Sequence, residues 1–275
     1  MNVRTVRIAS LVYGAGTPSL DDPAEAYHEA SKLYPSFGLR QTRGHLLETN
    51  EELRASSLRA VKRHPHLPRV DLPTPRLPEA PLCRVVAERR SRREFGPAPL
   101  RLTELAALLH AGYGVTHQLD SEAPPGTPPL LRAVPSGGGL YPLELWVFAH
   151  RVEGLEPGLY HFDPLANALE SIEAGAQAAT LADASVYPEL ARTAAAVLVV
   201  SAMFWRTRFK YRLRGYRFAL LEAGHLAQNV LLAATGLELA SVPLGGFFDR
   251  RLDELLDLDG VDESALYGIA VGRVA

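Results

Sequence analysis

Four arginines and one serine occupy five consecutive positions near residue 90. The segment runs from Arg89 to Phe95 and reads RRSRREF. Guanidinium groups bind phosphate through paired hydrogen bonds, and a serine hydroxyl adds a neutral donor. The segment therefore predicts an anion site, although a solvated basic turn has the same composition.

A second unusual stretch, PSGGGLYP, runs from Pro135 to Pro142 and leads directly into an apolar segment. Three successive glycines let the backbone pass close to a flat or bulky group, because no side chain intervenes. A P-loop would need Gly-Lys-Ser/Thr, which is absent, and a dinucleotide fingerprint would place the glycines between a strand and a helix. The stretch predicts either a turn that lines a ligand or an ordinary tight turn.

Lys210 and Tyr211 stand side by side in a stretch with six basic residues between Arg206 and Arg217. Basic residues interleaved with aromatics occur in nucleic-acid-binding proteins, and they also occur on solvated helix faces. The net charge of the chain is −2, which disfavours the nucleic-acid interpretation.

Hydrophobic periodicity and turn residues predict the elements that position these segments. The first predicted helix starts at Asp21 to Pro23 and continues from Ala24 to Lys32. The other predicted helices are Glu51 to Lys62, Leu82 to Arg90, Leu102 to Gly112 with Thr103 as N-cap, and Leu220 to Ala234. The predicted strands are Leu143 to Ala149, a hairpin of Gly158 to Phe162 with Ala168 to Ile172, Ala195 to Ala202, and Leu266 to Val271. Residues 118 to 130 predict a loop. Helices interleaved with a few strands predict an α+β domain.

Residues 64 to 81 carry six prolines and predict an extended linker, because proline fixes φ and removes a backbone donor. We divide the chain there into a helical lead-in (residues 1–63), the linker (64–81) and a main domain (82–275). His64 and His66 are interpreted as solvated linker histidines, since no cysteine or carboxylate lies at ligand spacing. No metal site is predicted.

The composition is that of an ordinary globular protein, with 47% hydrophobic and 22% charged residues among 275. The single cysteine excludes an internal disulfide. The N-terminus lacks the apolar region of a signal peptide, and no apolar stretch approaches the roughly 20 residues needed to span a bilayer. We expect a soluble cytoplasmic protein with neither a nucleic acid nor a membrane as partner.

Three segments, in this order, resemble the flavin-dependent nitroreductase family. They are the R-x-S-x-R-x-F cluster, the turn from Pro135 to Pro142, and PLGGF from Pro243 to Phe247. The forms PSGGGLYPLEL and KYRLRGYRFALLEAGHLAQNVLLAA are similar to the SagB-type dehydrogenase branch, which includes the azoline oxidases of thiazole/oxazole-modified peptide pathways. The resemblance covers residues 82 to 273. It implies an FMN-binding homodimer whose central, mostly antiparallel sheet is flanked by helices.

The resemblance also implies contacts to the cofactor. The residues that would hold the FMN phosphate and ribityl chain are Arg89, Arg90, Ser91 and Arg93. Those that would line the flavin from the partner subunit are Pro135, Ser136 and Gly139. Those that would lie at the isoalloxazine, with the Gly245 N–H facing N5, are Pro243, Leu244, Gly245 and Gly246. Many nitroreductases place a C-terminal basic residue on the phosphate, and Arg273 is the candidate here.

In the azoline dehydrogenases a Lys-Tyr pair occupies the place of Lys210 and Tyr211 and is taken as catalytic. Converting an azoline to an azole removes a hydride, which flavin N5 accepts, and a proton, which needs a base. The resemblance implies a peptide or small heterocyclic substrate and reoxidation by oxygen, and it leaves open a complex with a cyclodehydratase. The alternatives are an NAD(P)H-dependent nitroaromatic or quinone reductase and a non-catalytic flavin- or peptide-binding scaffold.

Overall fold

The structure, a computed structural model, describes residues 23–33, 61–118 and 130–275. The helices are α1 (Pro23–Ala30), α2 (Leu82–Glu88), α3 (Leu102–Tyr113), α4 (Ala178–Asp183), α5 (Pro188–Thr193), α6 (Trp205–Tyr211), α7 (Leu213–Gly236) and α8 (Asp249–Leu255). The strands are β1 (Arg69–Asp71), β2 (Phe95–Gly96), β3 (Leu100–Arg101), β4 (Val115–Gln118), β5 (Leu130–Arg132), β6 (Leu143–Ala149), β7 (Val152–Glu153), β8 (Gly158–Asp163), β9 (Ala168–Ala174), β10 (Ala196–Met203), β11 (Leu239–Leu244) and β12 (Glu263–Val274).

One sheet dominates the fold, in the order β1-β9-β8-β6-β10-β12-β11, with β2 paired to the end of β12. All of its pairings are antiparallel. The central strand β6 is buried on both faces. Leu143, Leu145 and Val147 face a core shared with α3 and α7, whereas Trp146 and Phe148 face a second core shared with α4 and α8. The prediction of an α+β fold with an antiparallel sheet flanked by helices is confirmed.

Most of the predicted elements within the described residues are found, with shifted ends. The N-terminus of α3 differs: Thr103 is not its N-cap. Glu104 instead accepts the backbone N–H of Arg101 at 2.9 Å and pairs with the Arg101 guanidinium. Gly112 does not end this helix, which continues to Tyr113 with Gly114 as its C-cap, and Gly112 is instead the point of close contact with Val230 of α7. The predicted helix over residues 51–62 lies almost entirely outside the described residues, as do Asp21, Asp22 and residues 119–129 of the predicted loop.

Helix α7 is buried on one side only within the chain. Ala223, Leu226 and Val230 face the core, whereas Leu220 is 43% and Leu221 60% exposed. A helix that is apolar all round is expected to be buried on all sides, and α7 is not buried in this way within a single chain. No helix among the described residues combines the length and apolarity needed to cross a membrane.

The proline-rich segment is extended, as predicted, but it is attached to the sheet. We call residues 61–81 the strap. Within it, β1 pairs with β9 in the register Val70↔Leu169. The far end of the strap packs on α7, where Pro78 lies against Gly236.

His64 is not a solvated linker histidine. Its backbone N–H donates to Glu170 Oε1 and its Nδ1 lies 2.9 Å from Glu170 Oε2. Glu170 lies far from His64 in the sequence, so ligand spacing could not reveal the contact. His66 is exposed, as interpreted.

A chain of buried charges continues from His64 into the fold. The His161 ring lies between Glu170 and Glu144, at 2.9 Å from each, and Glu144 also pairs with Arg206 at 2.6 Å. Burial alone would lower the pKa of His161, but its hydrogen bonds to the two carboxylates raise it to about 8. His64, His161 and Glu170 have their ligand atoms within 4.8 Å of one another, which a metal ion could use. His64 Nδ1 and both ring nitrogens of His161 already contact carboxylate oxygens, so a hydrogen-bonded network accounts for the cluster.

Candidate active site

The structure brings Lys210 and Tyr211 to the turn from Pro135 to Pro142, which we call the glycine turn. A Cβ built on Gly138 would lie 2.6 Å from the Tyr211 hydroxyl and 3.0 Å from Lys210 Nζ. Gly138 has φ +71°, a left-handed conformation that favours glycine. Lys210 Nζ also lies 5.3 Å from the centre of the Tyr211 ring. Two groups able to exchange protons thus meet at a backbone position that tolerates no side chain.

Helix α6 holds the pair in place. Arg206, one helical turn before Lys210, is buried and reaches Glu144 and the carbonyl of Tyr141, which is part of the glycine turn. Residues four apart share a helix face, so this anchor fixes the side of α6 that carries Lys210. The chain then turns sharply at Arg212, which has φ +51°. Arg212 is the single residue between α6, which ends at Tyr211, and α7, which begins at Leu213.

A buried polar network lies beneath the glycine turn. Ser136 Oγ accepts the Tyr141 N–H at 2.9 Å. The Tyr113 hydroxyl accepts the Leu143 N–H at 3.1 Å and donates to Glu222 Oε1 at 2.9 Å. These bonds connect the turn to α3 and to α7.

Arg132 and Glu222 are the charged members of this network. The Arg132 guanidinium stacks on the Tyr113 ring at 4.2 Å. Burial raises the pKa of Glu222 to about 7, against the lowering effects of Ser136, Tyr113 and Arg132. Burial also raises the pKa of Tyr113 well above its usual value, so its hydroxyl remains a donor.

The arginine cluster lies elsewhere on the chain. The backbone N–H of Arg92 donates to the Ser241 carbonyl, which places the cluster beside β11. Arg90 and Arg92 line a shallow cavity with Thr235 of α7. Ser91 and Arg93 line an adjoining surface next to the C-terminal residues. Within the described part of the chain, no ion pair is formed by Arg89, Arg90, Arg92 or Arg93.

The PLGG segment continues from β11, so it shares that strand with the arginine cluster. Pro243 and Leu244 end the strand, and the segment then bridges to Ser185 through Phe247. A Cβ on Gly246 would lie 2.9 Å from the Tyr187 ring, whereas one on Gly245 would meet only Tyr267, at 3.9 Å. The Gly245 position is therefore open to a ligand.

The glycine turn and the arginine cluster lie at opposite ends of α7. Gly137 packs on Phe218, and the cluster reaches Thr235. These two helix positions are roughly 25 Å apart at about 1.5 Å rise per residue. One chain therefore does not bring the two predicted halves of the cofactor site together.

Arg273 is engaged within the chain. Its guanidinium pairs with buried Glu104 at 2.9 Å and donates to the Pro99 carbonyl at 3.0 Å. Its predicted role on a phosphate stays a prediction.

The sequence did not single out two residues that the structure places at the Lys-Tyr pair and in the buried network, Gly138 and Glu222. The flavin-lining role of Gly139 stays a prediction, whereas Gly138 is the glycine in contact with Lys210 and Tyr211. Glu222 is an acidic residue inside the largely apolar sequence of α7. That exception was the available signal, because a carboxyl group is seldom buried without a partner or a task.

Comparison with known sequences gives a consistent result. The profile described as Nitroreductase family matches residues 86–273. A protein of Methanocaldococcus jannaschii named as a nitroreductase (MJ1384) is 35% identical over 204 residues, 74% of this chain and 96% of that protein. The microcin B17-processing protein McbC of Escherichia coli is 34% identical over 139 residues, 46% of this chain and 49% of McbC.

Solved structures share the fold. One from Anabaena variabilis, named as a nitroreductase, has a TM-score of 0.65 at 28% identity over 77% of this chain and 42% of that one. The E. coli microcin synthetase McbBCD complex with truncated pro-MccB17 has a TM-score of 0.55 at 22% identity over the whole of both chains. A nitroreductase-named protein of Desulfovibrio desulfuricans, solved in complex with FMN, has a TM-score of 0.50 at 20% identity over 72% and 88%.

Proposed function

This chain belongs to the nitroreductase family of oxidoreductases, and from that premise we propose that it dehydrogenates an azoline or similar heterocycle in a peptide, with FMN as cofactor. The observation that carries the proposal is the position of Lys210 and Tyr211 against Gly138. A reductase that takes its hydride from a nicotinamide has no need of a base beside the turn. A dehydrogenase must remove a proton from its substrate as well as a hydride.

The residues present fit FMN. Guanidinium groups without ion pairs suit a phosphate, and the cluster from Arg89 to Arg93 offers several. In the proposed site Arg89, Arg90, Ser91 and Arg93 hold the phosphate and ribityl chain. The open Gly245 gives a flat ring access to a backbone N–H. FMN, when bound, would supply the hydride acceptor, and oxygen would reoxidise it.

Two copies of the chain complete the proposed site. The arginine cluster and PLGG share β11, whereas Pro135, Ser136 and Gly139 lie at the other end of α7. A homodimer joined through the exposed side of α7 would allow the turn of one subunit to approach the arginine cluster of the other. The apolar exposure of Leu220 and Leu221 supports this arrangement.

The Lys-Tyr pair performs the proton step in this proposal. One of Lys210 and Tyr211 accepts the ring proton while the other orients the heterocycle through a hydrogen bond. Both side chains are half-buried, so a substrate could reach them from the surface while part of the water is excluded. The relationship to McbC, named for processing microcin B17, favours a peptide carrier and allows a synthetase complex with a cyclodehydratase.

The test uses the purified full chain and a synthetic peptide that contains one thiazoline. We expect a yellow protein with bound FMN that forms the thiazole in the presence of oxygen. Lys210→Ala and Tyr211→Phe should keep FMN and lose about 10²-fold or more in rate, the usual value of a positioned base. Arg208→Ala, on the same helix but exposed, is the matched control. Unchanged rates in both variants would exclude the proposed role of the pair.

An NAD(P)H-dependent reductase of nitroaromatics or quinones is the second candidate. The match to MJ1384 over 96% of its length favours it, because that protein is named as a nitroreductase. Rapid bleaching of the flavin by NAD(P)H, unchanged in Lys210→Ala, would select this candidate. A protein that binds peptide and FMN but turns over neither substrate would instead be a scaffold.

A further inference from the structure

Helix α7 places a single carboxyl group, that of Glu222, in the buried space beneath the glycine turn. Its side chain is 2% exposed. Oε1 accepts the hydroxyl of Tyr113, but buried Oε2 has no hydrogen-bond partner among the described residues. A buried oxygen without a donor is costly, and a proton on that oxygen would turn it into a donor.

The hydrogens around this carboxyl can be assigned one by one. The Tyr113 oxygen accepts the Leu143 N–H, so its own hydrogen is the one given to Glu222. Ser136 Oγ accepts the Tyr141 N–H, which leaves the serine hydroxyl one hydrogen and one lone pair. The Ser136 side chain also lies close enough to lower the pKa of the Glu222 carboxyl, although it forms no hydrogen bond with Oε2 in this structure. Its remaining hydrogen can point either inwards to Glu222 or outwards.

We propose that Glu222 is a positioning residue whose protonation sets whether the Ser136 hydroxyl presents a hydrogen or a lone pair to the flavin ring. When Oε2 carries the proton, it donates to Ser136 Oγ, which must then direct its own hydrogen outwards. When Glu222 is ionised, it accepts that hydrogen, and a lone pair faces outwards. The inference rests on the proposed function, because the ring is the ligand of that site.

Three neighbours determine the balance between the two states. Tyr113 from α3 donates a neutral hydrogen bond, and Arg132 from β5 favours the ionised carboxylate through its charge. Ser136 from the turn also favours ionisation, whereas the apolar packing of α7 opposes it. Burial prevails and raises the pKa of Glu222 to about 7. The switch therefore operates near neutral pH.

The two states differ in how well they suit the ring. The pyrimidine edge of an isoalloxazine has two carbonyl oxygens and one N–H, so an outward hydrogen finds more partners than an outward lone pair. FMN should bind more tightly when Glu222 is protonated. One neutral hydrogen bond corresponds to about a tenfold change in affinity.

The experiment titrates FMN into the flavin-free full chain between pH 5.5 and 8.5, following flavin fluorescence. The native chain should lose about tenfold in affinity as the pH rises through 7. Glu222→Gln always donates an N–H to Ser136, so its affinity should stay near the low-pH value of the native chain. Ser136→Ala should be weak throughout and should lack the Glu222-dependent step. Ionisation of the FMN phosphate affects all variants alike and cancels in the comparison.

A second readout needs no flavin. The infrared difference spectrum between pH 5.5 and 8.5 should contain a protonated carboxyl band that Glu222→Gln removes and Ser136→Ala shifts. A native slope retained in Glu222→Gln, a flat native profile, or a band indifferent to Ser136→Ala would overturn the inference. If neither the native chain nor any variant bound FMN, the proposed function would be refuted. The infrared result would still test the coupling between Glu222 and Ser136.

Discussion

Gly138 is the residue at which the backbone of the turn and the proposed base come into contact. Its φ of +71° and the Tyr211 hydroxyl, 2.6 Å from where a Cβ would lie, are independent constraints against a side chain. Gly139 shares the first, with φ +65°, but nothing lies within 4 Å of its Cβ position. The two glycines therefore separate backbone strain from contact with the Lys-Tyr pair.

Gly138→Ala and Gly139→Ala should each lose about 1–2 kcal/mol of folding stability, the cost of a left-handed L-residue. Gly138→Ala should in addition displace Tyr211 and Lys210, so its rate of dehydrogenation per bound flavin should fall by about tenfold or more relative to Gly139→Ala. Denaturant unfolding and turnover of the thiazoline peptide measure the two effects. Equal rates in the two variants would contradict the contact.

Glu222→Gln should change how stability depends on pH. The pKa of Glu222 rises from 4.5 when unfolded to about 7 when folded, so the stabilisation by its proton is complete below pH 4.5 and is lost as the pH rises through 7. The amide variant cannot lose this contribution. Its stability relative to the native chain should increase between pH 5 and 8 by on the order of 3 kcal/mol. Urea unfolding at both pH values measures it, and a constant difference would contradict the raised pKa.

At the scale of single residues, contiguous motifs could be predicted from the sequence, whereas contacts between distant side chains could not. The arginine cluster, the glycine turn and the Lys-Tyr pair are each contiguous, so the sequence displays them. The role proposed for Glu222 depends on Tyr113, 109 positions away, and on Ser136. No local pattern encodes such contacts.

Among the elements, the strap departs most from its prediction. Six prolines indicated an extended linker, and the segment is extended. It joins the sheet because β9 offers free backbone groups to β1, and because Glu170 and Glu144 accept the backbone N–H groups of His64 and Lys62. The strands β6 and β10 and most of α7 were predicted well, since each is a long, largely apolar run. A pairing between distant segments leaves no such pattern.

His161→Leu should destabilise the protein by about 3–5 kcal/mol at pH 6, because Glu144 and Glu170 then lose the cation between them. The pKa of His161 rises from 6.5 when unfolded to about 8 when folded, so its contribution is complete below pH 6.5 and is lost as the pH rises through 8. The deficit should therefore be smaller at pH 9. His66→Leu, at an exposed strap position, is the control for thermal unfolding, and a deficit of equal size there would contradict the network.

For the molecule as a whole, the 24-residue length of α7 determines which parts of the proposed cofactor site one chain can bring together. The helix separates the glycine turn from the arginine cluster by more than a contact distance. Family membership and fold were predicted from three short motifs and are confirmed. The dimer and the cofactor remain proposals, because they depend on surfaces that one chain exposes.

Leu221→Glu should convert a dimer into monomers and should weaken FMN binding in parallel, if the turn of one subunit serves the other. Val261→Glu changes the charge equally at a 74% exposed position outside α7 and should do neither. Light scattering and flavin content measure the two outcomes together. A native monomer that binds FMN would contradict the two-subunit site.

The strap also bears on whether the protein aggregates. An uncovered strand edge is a template for pairing with other chains, and β9 would be such an edge without β1. The prolines at positions 68 and 73 flank β1 and carry no N–H to offer a further strand. A chain shortened to residues 82–275 would keep every motif of the proposed site. We expect it to aggregate nonetheless, because the segment that resembles a dispensable linker is the cap of the sheet.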